Sequence, residues 1–330
     1  MKTQRNLLLI AALIIAGSCN KMYEPGRMVP KTADQDSEVP AIKIADRLLH
    51  SEAFGEPNNT IVVCLHGGPG ADYRYMLPAK SLVNYGYRVV FYDQVGSGLS
   101  QRFNENYYDK KNIDEIYLNE LKGVIDHYKT SNNQKVILLG HSWGAIMATA
   151  YAARYPEKIH GMVLIEPGGL KWDDIIAYIK KSQSTPLWSE ISNDALYQDQ
   201  FISNKKDNHE ILDFKLALFA SHGNPNTGEN TVLKEGFWRY GSVINLISFN
   251  YGQKDKPDLG DGIQNYNRPI LFMHGAKKNV YTDAWAQKIS ANFKFKEVFK
   301  VPGVGHSGMF DPMPWSTITL PKIISYFNTL

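Results

Sequence analysis

Apolar and polar positions along the chain predict a succession of short strands separated by helical stretches. Ile61 to Leu65, Tyr87 to Tyr92, Val136 to Leu139, His160 to Ile165 and Pro269 to Met273 are largely apolar runs of strand length, the pattern of strands buried on both faces. Ala41 to His50 alternates apolar and polar residues and reads as an outer strand, and a last strand is expected at Lys296 to Val301. Between them, apolar residues at 113, 116, 117, 121, 124, 125 and 128 form a helical stripe. Further helices are expected from Asp283 and near Trp315 to Phe327. Strands alternating with helices imply an α/β fold: a mostly parallel, doubly wound sheet with its site at the carboxyl ends of the strands.

From Gly168 to about Gly262 the rhythm changes. Helical segments such as Trp172 to Lys181 and Asp194 to Phe201 alternate with polar loops, and no buried strand is evident. An insertion of about 95 residues is too long for an ordinary connection, so residues 168–262 read as a helical cap. The core is then 41–167 and 263–330. The cap's aromatics, among them Trp172, Trp188, Phe237, Trp238, Tyr240 and Tyr251, are expected mainly in its own core, with some lining a substrate pocket.

Lys2 and Arg5 precede an apolar run from Leu7 to Ala16, which is too short for the roughly 20 residues of a membrane span. With Gly17 and Ser18 it has the parts of a secretory signal, 1–18. Cys19 directly after these small residues resembles a bacterial lipoprotein box, which implies acylation of Cys19 and a protein held on a bacterial envelope membrane by a lipid anchor. Residues 19–40, with Pro25, Pro30 and Pro40, read as a tether. The formal charge of +3, or +1 without Lys2 and Arg5, offers no footprint for nucleic acid. The other cysteine, Cys64, lies in an apolar run, so no disulfide is expected.

Candidate chemistry centres on Val136 to Ala152. Four apolar residues run into Gly140-His141-Ser142-Trp143-Gly144 and then into a small-residue helix, so the sequence reads strand, sharp turn, helix. A serine at that turn is lifted off the strand end with its hydroxyl free, which is a nucleophile's position, and the flanking glycines permit a backbone that a Cβ would obstruct. His66-Gly67-Gly68-Pro69-Gly70 ends another buried strand, in a loop whose amides can approach a second molecule closely. Gly96-Ser97-Gly98 lacks the third glycine and the Lys-Ser/Thr pair of a phosphate loop.

These motifs, with Asp93-Gln94-Val95-Gly96-Ser97-Gly98 and the late Gly305-His306, resemble the α/β-hydrolases and within them the proline iminopeptidase-like group, over residues 41 to 330 with the cap divergent. The resemblance implies that His306 is the base for Ser142. It also implies an oxyanion hole made by the amides of Trp143 and of Gly68 or its neighbour Gly67. The family's aspartate, counted from His274-Gly275, falls on Lys278, which cannot orient an imidazole. Glu166, directly after the strand that follows the elbow, is the preferred acid, because some haloalkane dehalogenases take theirs from that place. Asp283 and Asn279 are the alternatives. An aspartate nucleophile, as in dehalogenases and epoxide hydrolases, is replaced here by Ser142.

The expected activity is therefore that of a serine hydrolase acting on a small ester or amide through an acyl-enzyme, with no metal or organic cofactor. Two alternatives stand beside it: an aminopeptidase taking an N-terminal residue from short peptides, and a catalytically silent binding lipoprotein that lost its acid at Lys278. No Trp-Glu pair occupies Phe237 to Tyr240, where the iminopeptidases hold a substrate amine, and Glu229 and Glu235 lie nearby.

Overall fold

The computed structural model describes residues 28–109, 111–182, 208–220, 236–277 and 280–330. The leader, Cys19, Trp188, the Asp194 to Phe201 segment, Glu229, Glu235, Lys278 and Asn279 lie outside the described residues.

Strands β1 (Ala41–Ile44), β2 (Arg47–Phe54), β3 (Thr60–Leu65), β4 (Tyr87–Tyr92), β5 (Val136–His141), β6 (Gly161–Ile165), β7 (Ile270–Gly275) and β8 (Lys296–Val301) form a single sheet. Its order is β1-β2-β4-β3-β5-β6-β7-β8. All pairings from β4 through β8 are parallel, and β1 and β2 join antiparallel at one edge. The chain winds outward from β3 to β4 and then returns to lay β5 on β3's other side. That reversal opens a crevice at the carboxyl ends of β3 and β5, the place where open α/β sheets bind ligands.

The single outer strand expected at Ala41 to His50 is instead a hairpin. Ile44 pairs with Arg47 across a two-residue turn at Ala45 and Asp46, with Ala45 at φ 55°. The apolar alternation runs on through this turn, which contains neither Gly nor Asn, so the break leaves no mark in the pattern.

Alternate residues of each central strand enter opposite layers. Ile61, Val63 and Leu65 of β3 join the layer holding helices α1 (Ile113–Tyr128) and α2 (Trp143–Arg154), whereas Val62 and Cys64 face the layer that includes Met76 and Leu82. Burying each such side chain contributes roughly 1.5–3 kcal/mol. Asn112 caps α1 by accepting the Glu115 amide at 3.1 Å. Cys64 is a free buried thiol, and burial pushes its pKa up.

Between β6 and β7 the described residues form helices α3 (Trp172–Ser182), α4 (Asn208–Ala220) and α5 (Ser242–Asp255) and no sheet strand. A buried ion hub fixes α4 and the start of α5 to the loop after β4. Asp213 of α4 accepts Arg102 Nε at 2.9 Å and Arg239 Nε at 2.6 Å, and its other oxygen takes the Ser242 amide at 3.0 Å and hydroxyl at 2.7 Å. Burial pushes the Asp213 carboxyl up, but the two guanidiniums outweigh it and hold the group below its usual range. Chain order is completed by α6 (Asp283–Ser290), capped by the Thr282 hydroxyl, and α7 (Leu320–Phe327).

The tether reading does not extend over residues 28–40. Val29, Thr32 and Ala33 are buried, the Ala33 amide donates to Leu99 O at 2.8 Å, and Arg239 Nη1 donates to Pro30 O at 3.2 Å. The Met28 amide reaches Glu210 of α4 at 2.8 Å. Proline-rich composition marked absence of regular structure here, and a segment can lack hydrophobic period and still dock through its backbone.

Candidate active site

Ser142 sits between β5 and α2 with φ 53° and ψ −118°, a left-handed conformation that is strained for a residue with a Cβ. Two close approaches enforce it. A Cβ on Gly140 would stand 2.5 Å from Gly144 O, and one on Gly144 would stand 2.0 Å from Leu65 O, so only glycine fits either side of the turn. The Ser142 amide donates to Ile165 O at 2.8 Å, which ties the turn to the end of β6. Trp143 is the first residue of α2, so its amide falls among those with no intrahelical acceptor.

The loop after β3 approaches the serine from the other side. A Cβ on Gly67 would lie 3.1 Å from Ser142 Cβ, and Gly68 has φ 123°. The Gly67 amide donates to the Tyr75 hydroxyl at 2.8 Å, so of the two expected donors it is Gly67 whose hydrogen is engaged within the fold. Cap residues hold this loop directly: Gly241 N donates to Gly70 O at 2.6 Å, Asn245 Nδ2 to Pro69 O at 2.7 Å, and Trp238 N to Asp72 Oδ2 at 2.6 Å.

His306 Nδ1 lies 2.6 Å from Glu166 Oε2. Glu166 is fully buried, with φ 49°, and its other oxygen accepts the Gly275 amide at 2.6 Å. A carboxylate only accepts, so Nδ1 carries the hydrogen and Nε2 of the neutral ring is left as a base. The Tyr178 hydroxyl of α3 approaches the same Nδ1 at 3.3 Å. Ser142 and His306 line one cavity of about 550 Å³.

Asp283 is elsewhere. Its exposed carboxylate pairs with Lys300 at 2.8 Å, a hydrogen-bonded contact that holds it below the usual carboxylate range, and it borders a separate outer groove with His274 and Lys296. His66 is also removed from base chemistry. Its Nε2 accepts the Gln94 amide at 3.0 Å and its Nδ1 donates to Gly67 O at 2.8 Å, with burial keeping the ring neutral.

The cavity is bounded by Trp172, Ile175 and Tyr178 of α3, Leu212 and Leu216 of α4, and Val243, Leu246 and Phe249 of α5. Phe237 and Tyr240 also line it, whereas Trp238 packs edge-on against His50 and Tyr73, and Tyr251 packs against the core. The only carboxylate among the described lining residues is Glu105, which is exposed. No cluster of three His, Cys, Asp or Glu side chains able to hold a metal occurs among the described residues. Tyr75 and Tyr178 were not anticipated. Neither belongs to a motif, and their nearness to the site depends on packing between distant segments.

The family model described as "alpha/beta hydrolase fold" matches residues 60–312. A proline iminopeptidase of Saccharolobus solfataricus is 38% identical over 109 residues, covering 32% of this chain and 33% of that protein. A second, from Thermoplasma volcanium, is 36% identical over 109 residues, covering 33% and 34%. The chain thus spans about a third of the length of these curated relatives. Epoxide hydrolase 1 of Caenorhabditis elegans is 25% identical over 219 residues, 64% of this chain and 50% of that protein. Among solved structures, the proline iminopeptidase of Mycobacterium smegmatis superposes with TM-score 0.55 at 16% identity, covering 87% of this chain and 97% of that one. A meta-cleavage product hydrolase of Pseudomonas fluorescens gives 0.58 at 19%, covering 88% and 97%. Sheet order, the turn at Ser142 and a family match over more than half its length agree: the chain belongs to the α/β-hydrolase fold family.

Proposed function

We propose that the protein is a serine hydrolase that cleaves a small ester or amide through an acyl-enzyme. The observation that carries this reading is that His306, paired with the buried Glu166, and the strained Ser142 turn line the same cavity. Ser142 Oγ attacks the acyl carbon while His306 Nε2 takes its proton, and Glu166 stabilises the imidazolium that forms. The oxyanion is held by the amides of Gly68 and Trp143, each contributing roughly 3 kcal/mol to transition-state stabilisation. His306 then protonates the leaving group, and water activated by the same ring releases the acid. The apolar lining from α3, α4 and α5 suits an uncharged acyl group.

An aminopeptidase acting on short peptides is the second reading, favoured by the identity with proline iminopeptidases. Labelling with a fluorophosphonate probe, which reports an activated serine regardless of substrate, tests the common mechanism. Wild type should label, and Ser142→Ala and His306→Ala should not. An unlabelled, folded wild type would leave a binding protein on this fold. Comparing a p-nitrophenyl ester with an aminoacyl p-nitroanilide then separates the two enzymatic readings.

A further inference from the structure

The four loops that carry the proposed chemistry leave the sheet at β3, β5, β6 and β8. β3 and β5 are neighbours, but β6 and β7 stand between β5 and β8. Backbone pairing therefore does not set the histidine loop against the turn at Ser142 directly. A side-chain connection does. His141, the last residue of β5, has Nε2 2.9 Å from His306 O and Nδ1 2.7 Å from the Tyr75 hydroxyl, which in turn accepts the Gly67 amide at 2.8 Å.

This chain has one possible order of protons for a neutral ring. A carbonyl only accepts, so His141 Nε2 carries the hydrogen and Nδ1 is the acceptor. Tyr75 must then donate its hydroxyl hydrogen to Nδ1, and its oxygen receives the Gly67 N–H. Every link runs the same way, from the loop after β3, across the residue before the nucleophile, to the backbone of the histidine itself. The setting is partly shielded from water: His141 is 3% exposed and Tyr75 half-buried, and Phe310 stands edge-on to both, with ring centres 5.6 and 5.5 Å away. Hydrogen bonds in such surroundings are stronger than in water and costly to leave unmade.

We propose that Tyr75 and His141 are positioning residues for the reaction proposed above, on which this inference rests. They lock the His306 loop to the nucleophile turn, and they hold the Gly67 amide away from substrate so that the Gly68 amide is the oxyanion donor. Both side chains border the cavity that Ser142 and His306 line, and the chain sets the separation between base and nucleophile.

Hydrolysis of p-nitrophenyl butyrate tests this, with thermal unfolding as the control for folding. His141→Leu and Tyr75→Phe should each lower kcat by about 10- to 100-fold with KM changed less than about threefold, the signature of misplacement by a fraction of an ångström. His141→Gln offers a donor to His306 O and an acceptor to Tyr75, so it should recover most of kcat. The Tyr75→Phe, His141→Leu double variant should be no worse than the poorer single, because one chain is broken once. Folded His141→Leu and Tyr75→Phe variants with kcat within twofold of wild type overturn the inference, as does a His141→Gln variant no better than His141→Leu. If His141→Leu does not fold, Tyr75→Phe and His141→Gln decide the question by themselves. A wild type that the fluorophosphonate does not label overturns the hydrolase reading and this inference with it. A labelled, active wild type with indifferent variants overturns this inference alone.

Discussion

His306 and Glu166 are 140 residues apart in the chain and 2.6 Å apart in space. The strand order explains the meeting. Glu166 follows β6, and its left-handed backbone turns the side chain toward the ends of β7 and β8, where one oxygen anchors on the Gly275 amide and the other faces the imidazole.

Replacing Glu166 by Gln keeps this shape but removes the charge that stabilises the imidazolium, so kcat/KM on a chromogenic ester should fall by about 10³ to 10⁴. Asp283→Asn, which disturbs a surface pair with Lys300 and a 3.8 Å contact with His274, should stay within about threefold of wild type. The reverse ranking would return the acid to the loop after β7.

Asp213 supports two buried guanidiniums, so Asp213→Asn leaves Arg102 and Arg239 with uncompensated charge. Breaking a buried pair in this way costs about 3–5 kcal/mol. Urea unfolding monitored by tryptophan fluorescence should show that loss. A change below about 1 kcal/mol would mean the hub contributes little to fixing α4.

Glu120 of α1 is fully buried and accepts the Val95 amide with both oxygens. Burial, only partly offset by Arg47 and the Val95 bond, pushes its carboxyl up to about 8 from the ordinary 4.5. The folded chain therefore keeps a proton that the unfolded chain has lost between those values, and stability falls as pH rises through that window. Glu120→Gln cannot ionise, so its Tm relative to wild type should rise steadily from pH 4.5 to pH 8. A difference independent of pH would show that Glu120 titrates alike in both states.

If Cys19 carries the proposed lipid, Cys19→Ser should move the protein from the membrane to the soluble fraction with esterase activity intact. Equal retention of both forms would remove the anchor. Deleting residues 1–27 should likewise leave a folded hydrolase. Deleting through Ala33 strips out Val29, Thr32 and Ala33 and the Arg239 to Pro30 bond, and should lower Tm clearly.

The sequence alone was enough for most local parts of this protein, the β1–β2 hairpin and the docked residues 28–40 excepted. Continuous apolar runs mark β3 to β7 because a strand covered on both faces needs apolar side chains at every position, and Gly140 and Gly144 mark the turn because nothing larger fits there. Glu166 was legible as a candidate through the family resemblance, because it directly follows the strand after the elbow, from which some haloalkane dehalogenases take their acid. Tertiary structure decided which loops meet. That His306 faces Glu166 while Asp283 faces Lys300 depends on where β6, β7 and β8 stand in the sheet, and order across a sheet leaves no local trace. The same holds for Tyr75 and His141, 66 residues apart, and for Asp213 with Arg102 and Arg239. A hydrophobic period reports which face of an element is buried. The partner of each buried polar atom is chosen only when the elements pack, because a hydrogen bond requires two particular atoms within about 3 Å of each other.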